Sequence, residues 1–282
     1  MLTPQPPGFQ IAPEDFREFC RFLEDHSGIL LTESKQYLVQ SRLRELARVN
    51  QCPDLKTLLG MLRRPGTMRL REQVIEAMTT HETLWFRDSH PFTLLQNKLL
   101  PELSEQRLGQ PLRIWSAACA TGQEPYSISM IIDECRNAGR LKLPSIDLVA
   151  TDISTQVLDA ARRGEYEMLA LGRGLLPEQR QRFFEQTSTG SWQVKSRLRE
   201  MVRFQQLNLL GSYSALGKFD VIFCRNVLIY FSSDRKLEIL RKLHGSLRTG
   251  GYLFLGASEF LPSMDDKYRM IHCRPGIVYQ AL

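Results

Sequence analysis

The chain has 282 residues, with 37 lysines and arginines against 31 aspartates and glutamates, for a formal charge of +6 at neutral pH. Its 43% hydrophobic and 24% charged residues match ordinary globular usage and exclude a disordered, collagen-like or coiled-coil chain. This length predicts two domains, or one large α/β domain with an appendage, and the mild basic surplus keeps nucleic acid in play until the charge is located along the chain.

The first residues, Met1 to Gly8, carry neither the basic nor the apolar region of an export signal, and no stretch approaches ~18 uninterrupted apolar residues. Export and direct membrane insertion are therefore not expected. Cys20, Cys52, Cys119, Cys135, Cys224 and Cys273 are scattered, with no C-x-x-C pair and no histidine at finger spacing. They read as reduced, mostly buried thiols, and no metal site is expected.

After a proline-rich leader, Pro13 opens a segment with Phe16, Phe19, Cys20 and Leu23 at three- and four-residue steps, closed by Gly28. That is an amphipathic helix with proline at its start and glycine past its end. Similar patterns run through Val39, Leu43 and Leu46, through Leu55, Leu58, Leu59 and Leu62, and through Leu70, Val74 and Met78. Residues 1–80 thus read as an all-helical domain. Within it, positions 35–71 hold nine basic residues and two acids, a local excess of +7 that surpasses the total for the chain. Residues 14–33 carry six acids against two arginines, so the positive potential is regional.

From residue 81 onward a second domain is expected, and from about 111 its pattern changes. Short apolar runs at 112–115, 146–150, 201–204, 219–224 and 250–255 alternate with helix-length segments, which predicts a mostly parallel sheet with right-handed crossovers. Tyr268 to Tyr279, with Pro275-Gly276 inside, has no room for a helix and reads as an antiparallel terminal hairpin. Residues 166–203 are too long for a simple connection and too polar for a core crossover. They read as a helix plus a small antiparallel β insert at about 188–204.

In an open parallel sheet, ligands bind beyond the carboxyl ends of the strands. Those positions are unusually polar here. The first strand leads into Ser116-Ala117-Ala118-Cys119-Ala120-Thr121-Gly122-Gln123-Glu124, whose small residues permit close backbone approach. The second ends at Asp152, suited to accept hydrogen bonds from ribose hydroxyls. The third is followed by Asn208-Leu209, and the fourth by Arg225-Asn226 with Tyr230 one turn further on. The set suits a nucleoside-containing cofactor. No G-x-G-x-x-G and no P-loop is present, which speaks against dinucleotides and nucleoside triphosphates and leaves S-adenosyl-L-methionine.

These segments resemble the CheR-type chemotaxis receptor methyltransferases. The resemblance covers nearly the whole chain and rests on Thr83-Leu84-Trp85-Phe86-Arg87-Asp88, on Trp115 to Ser127, on Ala150-Thr151-Asp152-Ile153, and on Phe219 to Phe231. It implies a Rossmann-like, class I α/β methyltransferase domain. It also implies transfer of a methyl group from S-adenosyl-L-methionine to glutamate carboxylates of methyl-accepting chemoreceptors, with S-adenosyl-L-homocysteine as product. By resemblance, Thr83 and Arg87 reach the methionine end of the cofactor with Glu124, Asp152 binds ribose, and Asn208 and Leu209 flank the adenine. Arg225 and Asn226 line the methyl-transfer site with Tyr230, and His81 stands where relatives often carry asparagine. Arg87 and Tyr230 are the expected aligning residues of the reaction. Arg42, Arg44 and Arg48 are the expected docking cations for acidic receptor helices, and the β insert is a second docking site for a receptor C-terminal tail. The implied location is cytoplasmic, at membrane receptor arrays.

Two rival readings are open to test. A nucleic-acid methyltransferase would suit the basic charge. The chain lacks an Asp/Asn-Pro-Pro-aromatic tetrapeptide, however, and Cys224 follows Phe223 where a pyrimidine-attacking cysteine normally follows proline. A non-catalytic sensor of the cofactor would bind it and transfer nothing.

Overall fold

A computed structural model describes residues 9–107, 109–142, 145–262 and 264–282. The leader before residue 9 lies outside them. The described chain forms two units, one running to Thr80 and including Tyr230–Arg235, the other comprising His81–Ile229 and Lys236–Leu282.

The first unit holds four helices: α1 (Pro13–Ser27), α2 (Gln36–Val49), α3 (Leu55–Leu62) and α4 (Met68–Met78). Pro13 starts α1, where the missing N–H costs nothing, and Gly28 ends it in the left-handed region at φ 78°. Asp54 caps α3 by accepting from the Thr57 N–H at 2.8 Å. Phe16, Phe19, Leu23, Val39, Leu43, Leu55, Leu58, Leu62 and Val74 close into one apolar core. Burying each such side chain contributes roughly 1.5–3 kcal/mol before conformational entropy is subtracted. The segment Tyr230–Arg235 joins this unit through the Leu30 N–H, which donates to the Tyr230 carbonyl at 2.8 Å.

The second unit opens with α5 (His90–Leu94), which passes through a π turn (Leu95–Leu99) into α6 (Leu100–Gln106). The irregular turn lies just before Pro101, whose ring and absent N–H disrupt regular helix bonding. The main sheet follows. Its strands are β1 (Leu112–Ala117), β2 (Ile146–Asp152), β6 (Val202–Gln206), β7 (Phe219–Cys224), β8 (Leu247–Phe254), β9 (Tyr268–Cys273) and β10 (Gly276–Ala281). Their spatial order is β6-β2-β1-β7-β8-β10-β9. Pairing is parallel from β6 to β8, and antiparallel where β10 meets β8 and β9. The centre of the sheet is dry: Trp115 pairs with Val149 on one side and Ile222 on the other, and every residue of β7 is buried. Helices α7 (Gln123–Asn137), α8 (Thr155–Arg163) and α12 (Ser233–Ser246) connect these strands. Order reverses at β1, where β2 and β7 flank it, and a ligand crevice belongs beyond that point.

The antiparallel insert differs from its expected range of about 188–204. Its strands are β3 (Glu165–Tyr166), β4 (Phe184–Gln186) and β5 (Trp192–Val194), in the order β3-β5-β4, with short helices α9 (Met168–Leu171) and α10 (Pro177–Phe183) between. A further short helix, α11 (Ser196–Arg199), leads out of it. Val202–Gln206 instead forms the edge of the main sheet, with Val202 opposite Leu148. The insert is anchored from within by Tyr166 and Phe184, whose rings meet Trp85 edge-on at 4.9 and 5.3 Å.

Candidate active site

The β1–α7 turn is built for close approach. Ala118, Ala120 and Gly122 all take positive φ (57°, 48° and 95°), a conformation that bulkier side chains rarely adopt. A Cβ at Gly122 would meet Ala161 Cβ at 3.0 Å and the Tyr126 and Tyr166 side chains at 3.2 Å, so the turn is packed from behind. The Ala120 N–H donates to Asp152 Oδ2 at 2.9 Å and the Ser154 N–H to Oδ1 at 3.0 Å, which fixes the carboxylate at the end of β2. Burial pushes the Asp152 pKa up, against those hydrogen bonds and the positive form of nearby His81.

A second cluster sits beyond β7. The Arg225 side chain is 1% exposed and carries two carboxylates: Nη1 donates to Glu124 Oε2 at 3.0 Å and Nη2 to Asp88 Oδ2 at 2.7 Å. Nη2 also donates to the Arg87 carbonyl at 2.7 Å, and the guanidinium lies 5.5 Å from the Phe92 ring. Glu124 accepts from Ser116 Oγ at 2.8 Å on its other oxygen. Burial raises the Glu124 pKa, with Arg225 pulling the other way.

The segment 82–89 is held in an unusual conformation. Phe86, Asp88 and Ser89 all have positive φ, at 46°, 65° and 45°. Such residues persist only where their surroundings over-determine them, and the anchors are visible. The Trp85 N–H donates to the Arg173 carbonyl at 3.2 Å, Trp85 Nε1 to the Ala170 carbonyl at 3.1 Å, and the Phe86 N–H to Ser127 Oγ at 3.1 Å. Arg225 supplies the last clip. The product of this bracing is Arg87, whose own guanidinium makes no ion pair among the described residues and only a 3.3 Å bond to the Glu82 carbonyl. The partners that Arg87 leaves aside are taken by others, Asp88 by Arg225 and Glu82 by Arg173 at 2.7 Å.

Of the residues expected from sequence, Arg87, Glu124 and Arg225 meet in one bonded cluster, and Asp152 and His81 interact in another. Asn208 and Leu209 follow β6, whose next residue, Leu207, donates its N–H to the Asp152 carbonyl at 2.9 Å. Asn208 Oδ1 accepts from the Leu210 N–H at 2.9 Å, and Leu209 is buried. Thr83 is half-buried. Asn226 takes a left-handed conformation at φ 57°. Arg225 is buried and bonded to Asp88, Glu124 and the Arg87 carbonyl. Tyr230 belongs to the helical unit.

The three expected docking arginines also divide. Arg42 donates to the Met78 and Thr79 carbonyls at 2.7 and 2.9 Å and to Thr80 Oγ1 at 3.1 Å, so it caps α4 and is not a free cation. Arg48 pairs with Glu45 at 2.6 Å, both 71% exposed. Arg44 is exposed and carries no ion pair among the described residues. Asp88 and Ser116 lie within the motifs singled out in the sequence but have no expected role there, and Glu259 lies outside every such motif. Glu259 is buried in the loop after β8 and accepts backbone N–H groups from Asn226, Ile229 and Gly256.

A sulfonium nucleoside requires close backbone approach, a carboxylate for its ribose and negative charge for its cationic end. The positive-φ turn would supply the first, Asp152 the second, and the carboxylates around Arg225 the third. Arg225 Nε and Asn226 Oδ1 are buried with no hydrogen-bond partner among the described residues, unsatisfied groups of the kind that cluster at functional sites. The residues therefore fit S-adenosyl-L-methionine. Sheet order, strand-end polarity and this fit define an α/β S-adenosyl-L-methionine-dependent methyltransferase. Comparison makes the class specific. Residues 81–277 match the family profile for the CheR methyltransferase SAM-binding domain, and residues 14–79 match the CheR all-alpha domain. The chain belongs to the CheR methyltransferase family. It is 54% identical over 274 residues to chemotaxis protein methyltransferase 1 of Pseudomonas aeruginosa, covering 96% of this chain and 98% of that one. It is 51% identical over 270 residues to chemotaxis protein methyltransferase 1 of Vibrio cholerae, covering 96% and 98%. Its activity is the family's, methylation of chemoreceptor glutamates with S-adenosyl-L-methionine as donor.

Proposed function

We propose that Arg87 and Tyr230 align the acceptor glutamate, and that His81, Thr83, Arg87, Glu124, Asp152, Asn208, Leu209 and the Arg225-Asn226 turn hold the cofactor. The observation that carries this reading is the Arg87 guanidinium, left without an ion pair while its backbone is clipped down by Arg225. When bound, S-adenosyl-L-methionine supplies an electrophilic methyl group on a sulfonium. A glutamate is ionised at neutral pH, so no general base is needed. Its oxygen forms the new O–C bond as the C–S bond breaks, the sulfur keeping the electron pair. Two opposite charges disappear, leaving a neutral ester and a thioether. The protein therefore contributes alignment and exclusion of water more than charge stabilisation. Asp152 and Glu124 hold the cofactor's polar ends, and Arg225 acts through the residues it clips.

Docking is proposed on the helical domain, residues 1–80, with its expected arginines sharing the task unequally. Arg44, with exposed Lys35, Lys56, Arg64 and Arg69, supports steering of acidic receptor helices, whereas Arg42 and Arg48 are engaged internally. The outer strands β3 and β4 of the insert offer edges to which an extended receptor tail would add. Action in the cytoplasm at membrane receptor arrays follows from those partners; among the described residues no helix is long and apolar enough to cross a membrane.

The test is incubation with tritiated S-adenosyl-L-methionine and receptor cytoplasmic fragments, followed by alkali. Base-labile label on the receptor is expected. Label on nucleic acid, or cofactor binding with no transfer to any receptor, would overturn the reading in favour of one of its rivals.

A further inference from the structure

The turn after β7 stands on a residue that makes no direct claim on the chemistry. Asn226 sits at φ 57°, and left-handed backbone is unfavourable for most side chains unless the surroundings hold it. Its N–H would point into a buried space without an acceptor. Glu259 fills that space. Glu259 Oε2 accepts from the Asn226 N–H at 2.7 Å and the Gly256 N–H at 2.7 Å, and Oε1 accepts from the Ile229 N–H at 3.3 Å. One carboxylate thus joins the loop after β8 to both ends of the turn after β7.

Gly256 is part of the device. A Cβ there would lie 2.7 Å from Asn226 Nδ2, 2.7 Å from Glu259 Oε2 and 2.9 Å from the Asn226 nitrogen. Any side chain would pry the carboxylate from the turn. Asn226 Oδ1, meanwhile, is buried with no hydrogen-bond partner among the described residues. An unsatisfied buried acceptor is uncommon in folded proteins and marks this turn as a place of strain or function.

We propose that Glu259 is a positioning residue for the methyl-transfer site: its carboxylate locks the Asn226 turn in its left-handed conformation and so fixes where Asn226 stands at the cofactor site. The proposal rests on reading Asn226 as a cofactor-facing residue. Glu259 acts by accepting hydrogen bonds, and a neutral acceptor of the same shape retains most of that role.

Four variants test it by calorimetric binding of S-adenosyl-L-homocysteine, with circular dichroism to establish that each is folded at the assay temperature. Glu259→Ala orphans three N–H groups and is expected to weaken binding about tenfold or more, the scale of one or two lost hydrogen bonds in a dry site. Glu259→Gln keeps one carbonyl oxygen for the Asn226 and Gly256 donors and is expected to stay within roughly threefold of wild type. Gly256→Ala keeps the Glu259 side chain but displaces its carboxylate from the turn, and is expected to weaken binding as Glu259→Ala does. Folded Glu259→Ala or Gly256→Ala with unchanged affinity would overturn the proposal, as would Glu259→Gln as defective as Glu259→Ala, which would make charge the operative property. Asn226→Ala separates the two readings. If it too binds normally, the assignment of Asn226 to the cofactor fails; if it binds weakly while Glu259→Ala does not, only the role of Glu259 falls.

Discussion

The two units use arginine in opposite ways. In the sheet unit Arg225 is buried, meets two carboxylates within 3.0 Å and also holds a backbone carbonyl. In the helical unit the Arg48–Glu45 pair is 71% exposed at both ends, and Arg44 is exposed with no ion pair among the described residues. A buried charge cannot be deleted without stranding its partners, whereas an exposed one is screened by salt and exchanges freely with water. The same residue type therefore sets geometry in one unit and long-range potential in the other.

The largest effect is expected where the buried clip is broken. Arg225→Met leaves Asp88 and Glu124 without their cation and frees the Arg87 carbonyl. Loss of a buried partner of this kind costs about 3–5 kcal/mol, so denaturant unfolding should show a clear fall in stability together with loss of methylation. Arg87→Ala sharpens the contrast. Its guanidinium makes no ion pair, so methylation of purified receptor should fall by about two orders of magnitude, with the melting temperature within a few degrees of wild type. Near-normal turnover would remove Arg87 from the reaction.

Much of this arrangement was legible in the sequence because it is local. Pro13 and Gly28 mark the two ends of α1, leucines at three- and four-residue steps mark α3, and apolar runs ending in Asp152 or Arg225-Asn226 place polar groups at strand ends. What was not legible depends on distance along the chain. Glu259 reads as an ordinary loop residue because its partner Asn226 is 33 positions away. Arg42 reads as a surface cation because the carbonyls that it caps lie 36 and 37 positions on. The helical run from His90 to Gln106 is obscured by Pro91 and Pro101, and β3, with two residues, is too short to show alternation.

An intermediate effect concerns protons. Burial raises the pKa values of Asp152 and Glu124, so the folded protein keeps these protons to higher pH than the unfolded chain does. Their contribution to stability is therefore greatest at low pH and declines as pH rises from the usual carboxylate range through the raised values. A bound cation reverses the balance by favouring the ionised forms. Affinity for S-adenosyl-L-methionine should increase with pH across that window, more steeply than affinity for the uncharged thioether product, and binding there should release protons. Calorimetry in two buffers of different ionisation enthalpy measures that release. Asp152→Asn should flatten the profile and weaken binding; an unchanged profile and affinity would take Asp152 out of the site.

The smallest effects belong to the helical unit, and they separate its arginines. Arg44→Glu replaces an unpaired, exposed cation, so stability should stay the same. Initial methylation rates at low salt should fall several-fold, with the difference disappearing as ionic strength rises and the Debye length shrinks from about 10 Å at 0.1 M to about 3 Å at 1 M. Arg42→Ala should do the reverse. It strips the cap from the last carbonyls of α4, so the expected change is a loss of about 1 kcal/mol in unfolding free energy, with little salt dependence in the rate. If Arg42→Ala instead lowered the rate in a salt-sensitive way at unchanged stability, the capping contacts would be incidental and the exposed basic face would extend across both residues.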